Sequence, residues 1–356
     1  IDNKWHTISR SKSIEAAYRI CHFWKQIGLK QGDRILIMLE NRPAWAVIAI
    51  GASISGLVLV PAYTTHDVKD IRELIDRTDA KLVLTSVDIL DGRKNQLGID
   101  PKFIITIDDD LFSNFPNPID LESPVLNADS LYALIATSGT QGRTKLVRLT
   151  HGNIISNVNS ILAVINEANL GNDHRFLSFL PLAHAYEQTG GLHFPLSMGS
   201  MIYFCDRLDR VASAMQTAKP TLMTAVPRLY DLLYEKIRNQ VYQGSAIKQW
   251  LFQRALSLGQ KDQLSLVENL ENNFLNRFIR KKVLNRFGGE LLYFVSGGAA
   301  LNPTVGKFFQ SLNVGILQGY GQTEAGPVIS VNRPGAQRVE TVGPPLPGVE
   351  VKLSDA

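Results

Sequence analysis

The stretch TSGTQGRTK, residues 137–145, is a glycine-rich loop that ends in a lysine. It follows the strand-like run LYALIAT at 131–137, and a helical pattern begins after residue 153. Glycines let successive backbone amides point at an anion, the hydroxyl groups add hydrogen-bond donors, and Lys145 adds a compact positive charge. A plain turn between a strand and a helix would not need that lysine. The stretch therefore predicts a phosphate-binding loop in an α/β fold.

Two common phosphate-binding patterns do not describe this loop. A Walker A loop has Gly before its lysine and Ser or Thr after it, whereas Thr144 precedes Lys145 and Leu146 follows it. The dinucleotide fingerprint GxGxxG is also absent from the loop. We therefore expect the loop to hold phosphate by a different arrangement.

Strand-like and helix-like runs alternate along most of the chain. Apolar residues such as Val68, Ile71 and Leu74 recur at helical spacing between short β-rich runs. Residues 44–60 read as a buried helix that leads into a strand. This alternation predicts an α/β fold with largely parallel sheets. The strand candidates are 34–39, 81–85, 103–107, 131–137, 175–181, 200–204, 221–226, 291–296 and 314–320.

Residues 228–287 interrupt the alternation, because their apolar residues recur only at helical spacing. They predict a helical insertion. Its last part, NRFIRKKVLNRF at 276–287, carries five cations within ten positions. Such a run is typical of a solvated helix face, and the alternative is a surface for anionic lipid or for a phosphorylated cofactor. The cations are Arg277, Arg280, Lys281, Lys282 and Arg286.

The proline-rich run VGPPLPGVEV at 342–351 is incompatible with a regular helix or a central strand, because proline lacks the backbone donor. It predicts a shaped loop followed by a new strand in VEVKL, at 349–353. A small third region is therefore expected to begin near residue 341.

Composition excludes several classes of protein. With 356 residues, 45% hydrophobic residues and a mean hydropathy of −0.01, the chain can bury a large core and has no transmembrane run. A net charge of +4 suits an anionic substrate or a loose membrane contact, but is too small to indicate nucleic acid. Cys21 and Cys205 form no metal-type or disulfide pattern, which favours a reducing compartment such as the cytoplasm.

Two further glycine-rich loops follow predicted strands. SGGAALNP occupies 296–303, and GYGQTEAGP occupies 319–327. In the second, Tyr320 offers a stacking face, Thr323 a hydroxyl and Glu324 an oxygen ligand of the kind that Mg²⁺ prefers. Parallel sheets bind ligands at the carboxyl ends of their strands. Three such loops predict one site for a phosphorylated ligand.

These motifs resemble those of the adenylate-forming superfamily, which includes acyl-CoA synthetases, firefly luciferase and peptide-synthetase adenylation domains. TSGTQGRTK is similar to the family's TSGTTGxPK loop, and YGQTE to its YGxTE loop. LPLAHAYEQ at 180–188 resembles the motif at the carboxylate substrate, and SGGAALNP the loop beside adenine. Within the superfamily, the helical insertion, VPRLYD at 226–231 and KLVRLTHGN at 145–153 look most like long-chain acyl-CoA synthetases.

The resemblance implies an architecture. It predicts two stacked, mostly parallel sheets flanked by helices, with 1–340 as the adenylate-forming core, 228–287 as a helical insertion and 341–356 as the start of a small β subdomain. Family members continue with a TGD motif, whose Asp binds ribose, and a small C-terminal domain that supplies a lysine to adenylation. The sequence contains no TGD. We therefore expect it to be the large N-terminal domain of a longer enzyme, poorly active alone.

The resemblance also implies a reaction. A long-chain fatty acid would attack the α-phosphorus of ATP, assisted by Mg²⁺, to give acyl-adenylate and pyrophosphate, and the thiol of coenzyme A would then displace AMP. The expected partners are fatty acid, ATP and coenzyme A, without nucleic acid. A peripheral membrane contact through 277–286 and a homodimer stay open.

Residue roles follow from the matching motifs. Lys145, Thr323 and Glu324 would act in catalysis, Thr137 and Glu324 would hold Mg²⁺, and His184 would lie at the substrate, unless that histidine is purely structural. The nucleotide would be bound by Thr137, Ser138, Gly139, Thr140, Gln141, Gly142, Lys145, Gly298, Ala299, Ala300, Gly319, Tyr320, Gly321 and Thr323.

Three departures from the family's phosphate loop leave alternatives. Gln141 stands where the family has its second threonine, Thr144 replaces proline and Leu146 replaces glycine. Loss of the proline removes a conformational restraint, which would weaken the binding of ATP. A catalytically impaired nucleotide- or lipid-binding protein is therefore one alternative. Another is an enzyme that hands its acyl group to the phosphopantetheine of a carrier protein.

Overall fold

The computed structural model describes residues 5–90, 97, 100–107, 115, 124–137, 144–171, 173–261 and 263–354. Contacts divide the chain into a first unit, 1–155 with 181–188, and a second unit, 156–180 with 189–356. The strands are β1 Arg34–Met38, β2 Val58–Pro61, β3 Ala80–Thr85, β4 Ile104–Thr106, β5 Leu131–Thr137, β6 Lys145–Thr150, β7 Arg175–Ser178, β8 Met201–Phe204, β9 Leu222–Ala225, β10 Tyr293–Ser296, β11 Gly315–Gly321 and β12 Val328–Val331. The helices are α1 Arg10–Gln26, α2 Pro43–Ser55, α3 Val68–Thr78, α4 Val87–Leu90, α5 His151–Glu167, α6 Ala185–Glu187, α7 Phe194–Met198, α8 Val211–Ala218, α9 Pro227–Tyr242, α10 Ala246–Gly259, α11 Leu266–Leu275, α12 Lys281–Asn285 and α13 Pro303–Ser311.

The first unit contains a six-stranded sheet in the order β4-β3-β1-β2-β5-β6. All neighbours are parallel except β6, which is antiparallel to β5. The middle of the sheet is apolar on both faces: Ile35 to Met38 of β1 are fully buried. Continuous apolar runs are the pattern of strands that are covered on both faces. This sheet confirms the predicted α/β fold.

Helix α3 shows how the local sequence sets an element of this unit. Asp67 caps its N-terminus by accepting a 2.9 Å hydrogen bond from the Asp70 amide. Ile71, Leu74 and Ile75 recur at helical spacing and are buried against the sheet core. The capping residue and the apolar stripe together explain why 68–78 is helical.

The second unit contains another six-stranded sheet, in the order β12-β11-β10-β9-β7-β8. Only β12 runs antiparallel to its neighbour. Its core is rich in aromatic rings: Tyr230 lies edge-on to Phe294, with ring centroids 5.3 Å apart, and Phe309 packs beside both. This core fixes β10 against α9 and α13, and so fixes the direction in which the loop after β10 leaves the sheet.

Between residues 227 and 285 the described part of the chain forms only helices, α9 to α12 with a π-helical turn at 276–280. This agrees with the helical periodicity in the sequence. None of the helices in the described ranges is long and apolar enough to cross a membrane. Cys21 and Cys205 are both buried and free.

Two strand predictions need correction. KLVRLT at 145–150, which is absent from the strand candidates, is strand β6 at the sheet edge. The exposed Lys145 and Arg148 interrupt its apolar residues, so the sequence shows neither an apolar run nor a regular alternation. Conversely, VEVKL forms no strand among the described residues up to 354. Val351 and Leu353 are exposed, and a strand without a hydrogen-bonded neighbour is not stable.

One cation of the basic run does not lie on the surface. Arg280 is buried, whereas the other four cations of 277–286 are exposed. The π-helical turn at 276–280 adds one residue to the helix. As a result the inward-facing positions run from Leu275 to Arg280 and then to Val283. The prediction of a five-cation surface was therefore wrong by one residue.

Arg280 joins three helices of the second unit. Its guanidinium donates to the carbonyl oxygens of Ser311 (2.7 Å) and Ala255 (2.5 Å), and to the side-chain oxygens of Asn272 and Asn276, both at 2.6 Å. The planar fork of arginine can serve all four acceptors at once. The charge is thus stabilised by neutral oxygens.

Replacing Arg280 by methionine should lower the free energy of unfolding of this unit by about 3–5 kcal/mol, because it removes the charged donor from two buried carbonyl oxygens and from the side-chain oxygens of Asn272 and Asn276. Denaturant unfolding followed by tryptophan fluorescence measures the change. Arg277→Met, at an exposed position on the same helical turn, serves as the control and should change the stability by less than about 0.5 kcal/mol.

Candidate active site

The glycine-rich loop of the first unit closes a β-hairpin. Thr137, the last residue of β5, is paired with Lys145, the first residue of β6, in an antiparallel ladder. The two ends of the loop are therefore held side by side, with Thr137 half-buried and Lys145 exposed. The predicted phosphate-loop residues Ser138, Gly139, Thr140, Gln141 and Gly142 lie outside the described residues.

Lys145 is exposed at the start of β6. Among the residues that the structure describes, its ammonium group makes no ion pair or hydrogen bond. The next residue, Leu146, packs against the apolar core formed by β1, β3 and α3. This packing explains why a leucine is tolerated at a position where the family has glycine, since it anchors the start of β6.

The segment 181–188 of the first unit is tied down by hydrogen bonds. Asn41 accepts from the Leu182 amide at 3.2 Å, and the Gln188 side-chain amide donates to the Leu182 carbonyl at 2.8 Å. His184 caps α6, where its Nδ1 accepts from the Tyr186 amide at 3.1 Å. Burial of one side of the imidazole lowers the pKa of His184. Near neutral pH the ring is therefore uncharged and carries its proton on Nε2, on the side away from the cap.

The second unit brings two of the predicted loops together. Strands β10 and β11 are parallel neighbours, with Ser296 opposite Gln318, so the loop after β10 lies beside the last residues of β11. The Gln318 side-chain oxygen accepts from the Leu301 amide at 2.6 Å and holds that loop in place. Gly298, Ala299 and Ala300 are exposed on it, and Gly298 has φ = +83°, which favours glycine.

The end of β11 carries the side chains that the sequence predicts to contact a phosphorylated ligand. Tyr320 is 52% exposed, and Thr323 is buried in the 3₁₀ turn Thr323–Ala325. Glu324 on the same turn is exposed and makes no ion pair among the described residues. A Cβ at Gly321 would collide with the Pro327 carbonyl, so the tight return from β11 to β12 needs glycine. An aromatic face and a free carboxylate thus lie within five residues at the carboxyl edge of the sheet.

Two buried amides that sequence reasoning missed shape this edge. The Gln318 Nε2 group donates to the carbonyls of Val339 and Thr341 at 3.3 and 3.0 Å. Asn332 donates to the Gln318 carbonyl at 3.1 Å and to the Thr341 carbonyl at 2.7 Å. The only signal in the sequence is a glutamine inside the apolar strand run VGILQGY. A buried polar residue must find partners, but the sequence does not say where.

Replacing Gln318 by leucine should lower the free energy of unfolding of the second unit by about 2–5 kcal/mol, because the Leu301 amide and the Val339 carbonyl lose their hydrogen bonds to this side chain, while the Thr341 carbonyl keeps the one from Asn332. Thermal and denaturant unfolding measure this. Gln310→Leu on the exposed face of α13 is the matched control and should be nearly neutral. If both variants had equal stability, the amide would not be holding the loop.

The oxygen ligands present suit a divalent cation whose coordination is completed by phosphate oxygens of a bound substrate. Among the described residues, no group of three or more His, Cys, Asp or Glu side chains could hold a metal by itself. Mg²⁺ is usually held by one or two carboxylates together with substrate phosphates, and the free carboxylate of Glu324 fits that role. A metal held entirely by His, Cys, Asp and Glu side chains does not fit the residues that the structure describes.

Known proteins are similar in sequence over most of this chain. The chain is 28% identical over 377 residues to "Fatty acyl-CoA synthetase A" of Dictyostelium discoideum, covering 99% of this chain and 55% of that protein. It is 28% identical over 352 residues to "Long-chain-fatty-acid–CoA ligase 6" of Mus musculus, covering 90% of this chain and 49% of the relative. The chain thus spans about half the length of the curated relatives it matches.

Solved structures share the fold. ATP-bound MatB from Rhodopseudomonas palustris superposes with a TM-score of 0.71 at 22% identity, over 96% of this chain and 60% of that one. A benzoate CoA ligase from Burkholderia xenovorans LB400 gives a TM-score of 0.71 at 21% identity, over 97% and 63%. The sequence model of the family described as "AMP-binding enzyme" matches residues 1–356, and the chain belongs to that family.

Proposed function

We propose that this chain is the nucleotide-binding portion of an ATP-dependent ligase that activates a long-chain fatty acid as its acyl-adenylate and then transfers the acyl group to coenzyme A. The observation that carries the proposal is the exposed carboxylate of Glu324, four residues after exposed Tyr320, at the same sheet edge as Gly298 to Ala300. Parallel sheets bind ligands at this edge. The family membership supports the adenylation step.

Charge neutralisation is the main demand of the proposed chemistry. A carboxylate has to approach the α-phosphorus of an anionic triphosphate, so the protein must offset negative charge and align the two groups. Lys145, which has no ion partner in the described part of the first unit, would bind the β- and γ-phosphates that depart as pyrophosphate. Thr137, opposite Lys145 at the other end of the loop, would add a hydroxyl ligand.

The second unit would hold the rest of the nucleotide. Tyr320 would stack on adenine, with Gly298, Ala299 and Ala300 along the edge of the base. The Thr323 hydroxyl would bond the α-phosphate, with Gly319 and Gly321 leaving room for close backbone approach. Glu324, with Thr137, would hold Mg²⁺, which when bound supplies positive charge to the phosphates.

His184 would contact the carboxylate of the fatty acid. Its neutral ring has one nitrogen occupied by the Tyr186 amide, which leaves Nε2–H as a donor for a carboxylate oxygen. The preference for a long acyl chain rests on the two relatives named above, both of which carry fatty acyl or long-chain fatty acid in their names.

The test is ATP–pyrophosphate exchange by the full-length protein with saturated fatty acids of graded length. We expect exchange that requires a carboxylate and is fastest with long chains. The same preparation is then offered coenzyme A and a phosphopantetheinylated carrier protein, and thioester should form with coenzyme A. If no carboxylate supported exchange, the result would favour a catalytically impaired nucleotide-binding protein. The departures Gln141 and Thr144 are consistent with that alternative.

A further inference from the structure

The helical segment 266–286 of the second unit exposes large apolar side chains in a row. Leu266, Val267, Leu270, Phe274 and Phe278 range in exposure from 45% for Phe278 to 86% for Leu266. Single exposed apolar residues are normal on protein surfaces. Five of them on one helix face are not, because a contiguous apolar patch marks an interaction site.

The exposed residues recur at the helix period, and they change from apolar to basic along the segment. Positions 266, 270, 274 and 278 are separated by one turn each and lie on one face. The rings of Phe274 and Phe278 are in contact, with centroids 4.6 Å apart. The same face continues as exposed Arg277, Lys281, Lys282 and Arg286. We call these nine residues the 266–286 stripe: apolar at its beginning, basic at its end and mixed between.

Helix α10 extends the apolar part. Arg254 pairs with Glu271 at 2.8 Å and Lys261 pairs with Glu268 at 2.6 Å, so α10 and α11 run antiparallel. Trp250 lies on α10, one turn before Arg254. Trp250 is itself exposed. These ion pairs also neutralise the two carboxylates of α11, which leaves the stripe with uncompensated positive charge.

The basic end of the stripe has no acidic residue close to it in the sequence. Residues 272–289 contain neither aspartate nor glutamate. The four exposed cations make no ion pair among the described residues. We propose that the 266–286 stripe docks this protein on the surface of an anionic lipid bilayer, with its phenylalanines and leucines in the interface and its cations against lipid headgroups. Aromatic and aliphatic side chains beside Lys and Arg are the pattern of helices that lie in a membrane interface.

A second copy of the chain fits this surface less well. In a two-fold symmetric contact the same stripe would meet itself. The four cations of each copy would then be covered by a surface that lacks carboxylates, and unpaired buried charge is costly. Headgroup phosphates supply the missing negative charge.

The experiment is vesicle flotation of the full-length protein, with vesicles of phosphatidylcholine alone or with about 30% phosphatidylserine. We expect binding to the anionic vesicles that falls as salt is raised, since screening weakens it. Lys281→Gln with Lys282→Gln should weaken binding about 25-fold, roughly fivefold for each lost charge. Leu270→Ser with Phe274→Ser should weaken it at least about tenfold.

Matched controls separate the stripe from general charge and hydrophobicity. Lys12→Gln with Lys69→Gln removes two exposed cations elsewhere, and Val87→Ser with Leu208→Ser removes two exposed apolar side chains elsewhere. Both should bind as the unmodified protein does, and thermal unfolding confirms that every variant is folded. Equal binding by stripe and control variants overturns the proposal. The proposal is also overturned if the unmodified protein does not bind the vesicles but forms a dimer in sedimentation experiments, and if Leu270→Ser with Phe274→Ser dissociates that dimer.

Discussion

Replacing Glu324 by glutamine in the full-length protein should slow ATP–pyrophosphate exchange by about 100-fold or more. Glutamine keeps the size of the side chain and removes the charge that would hold Mg²⁺ against the phosphates. Because Glu324 is exposed and unpaired among the described residues, the substitution leaves no buried group without a partner. The loss should therefore appear in activity and not in stability.

The measurement for Glu324 is exchange rate as a function of Mg²⁺ concentration. If the carboxylate holds the metal, the concentration that gives half the maximal rate should rise in the variant. Glu290→Gln, another exposed carboxylate of the second unit, controls for the general loss of one negative charge. An unchanged exchange rate in Glu324→Gln would remove this residue from the metal site.

Replacing Lys145 by methionine should reduce exchange by about 100- to 1000-fold, because a positive charge at the departing pyrophosphate is lost from a site where charge neutralisation is the main source of catalysis. The KM for ATP should rise together with the fall in kcat, since the triphosphate carries its charge before and during the reaction. Lys145→Arg should recover little of the rate, because a planar guanidinium does not replace a compact ammonium.

The control for Lys145 lies on its own strand. Arg148 is also exposed, and alternation along β6 points its side chain to the opposite face of the sheet. Arg148→Met should keep exchange within about threefold of the unmodified rate, a change of less than about 1 kcal/mol. If Arg148→Met were as damaging as Lys145→Met, general positive charge would explain both results, and the specific role of Lys145 would be lost.

The central strands were predictable because burial on both faces leaves a direct trace in the sequence. The apolar runs at 35–38 and 82–84 could not lie at a surface. Edge strands leave a weaker trace. In β6 the exposed Lys145 and Arg148 break the apolar run, so neither a run nor a clean alternation identifies the strand. Strand β6 is identified only by its hydrogen-bonded pairing with β5 in the folded structure.

The candidate ligand-binding side chains stand out in the sequence, but the residues that shape this edge of the sheet do not. Tyr320, Thr323 and Glu324 stand in one short motif whose side chains suggest a phosphorylated ligand. Gln318 and Asn332 act on carbonyls that lie up to 23 residues away in the chain, and no local pattern connects them. Arg280 illustrates a second limit, because one added residue in a π-helical turn moved it from the surface to the interior.

The most direct test of the proposed ATP site is a crystal structure of the full-length protein with ATP and Mg²⁺. We predict that the Lys145 ammonium group contacts oxygens of the β- or γ-phosphate. We also predict that the Glu324 carboxylate binds Mg²⁺ directly, at about 2.0–2.1 Å, or through one of its water ligands. A nucleotide bound with either side chain beyond hydrogen-bonding reach of the phosphates, the metal and its waters would contradict this account.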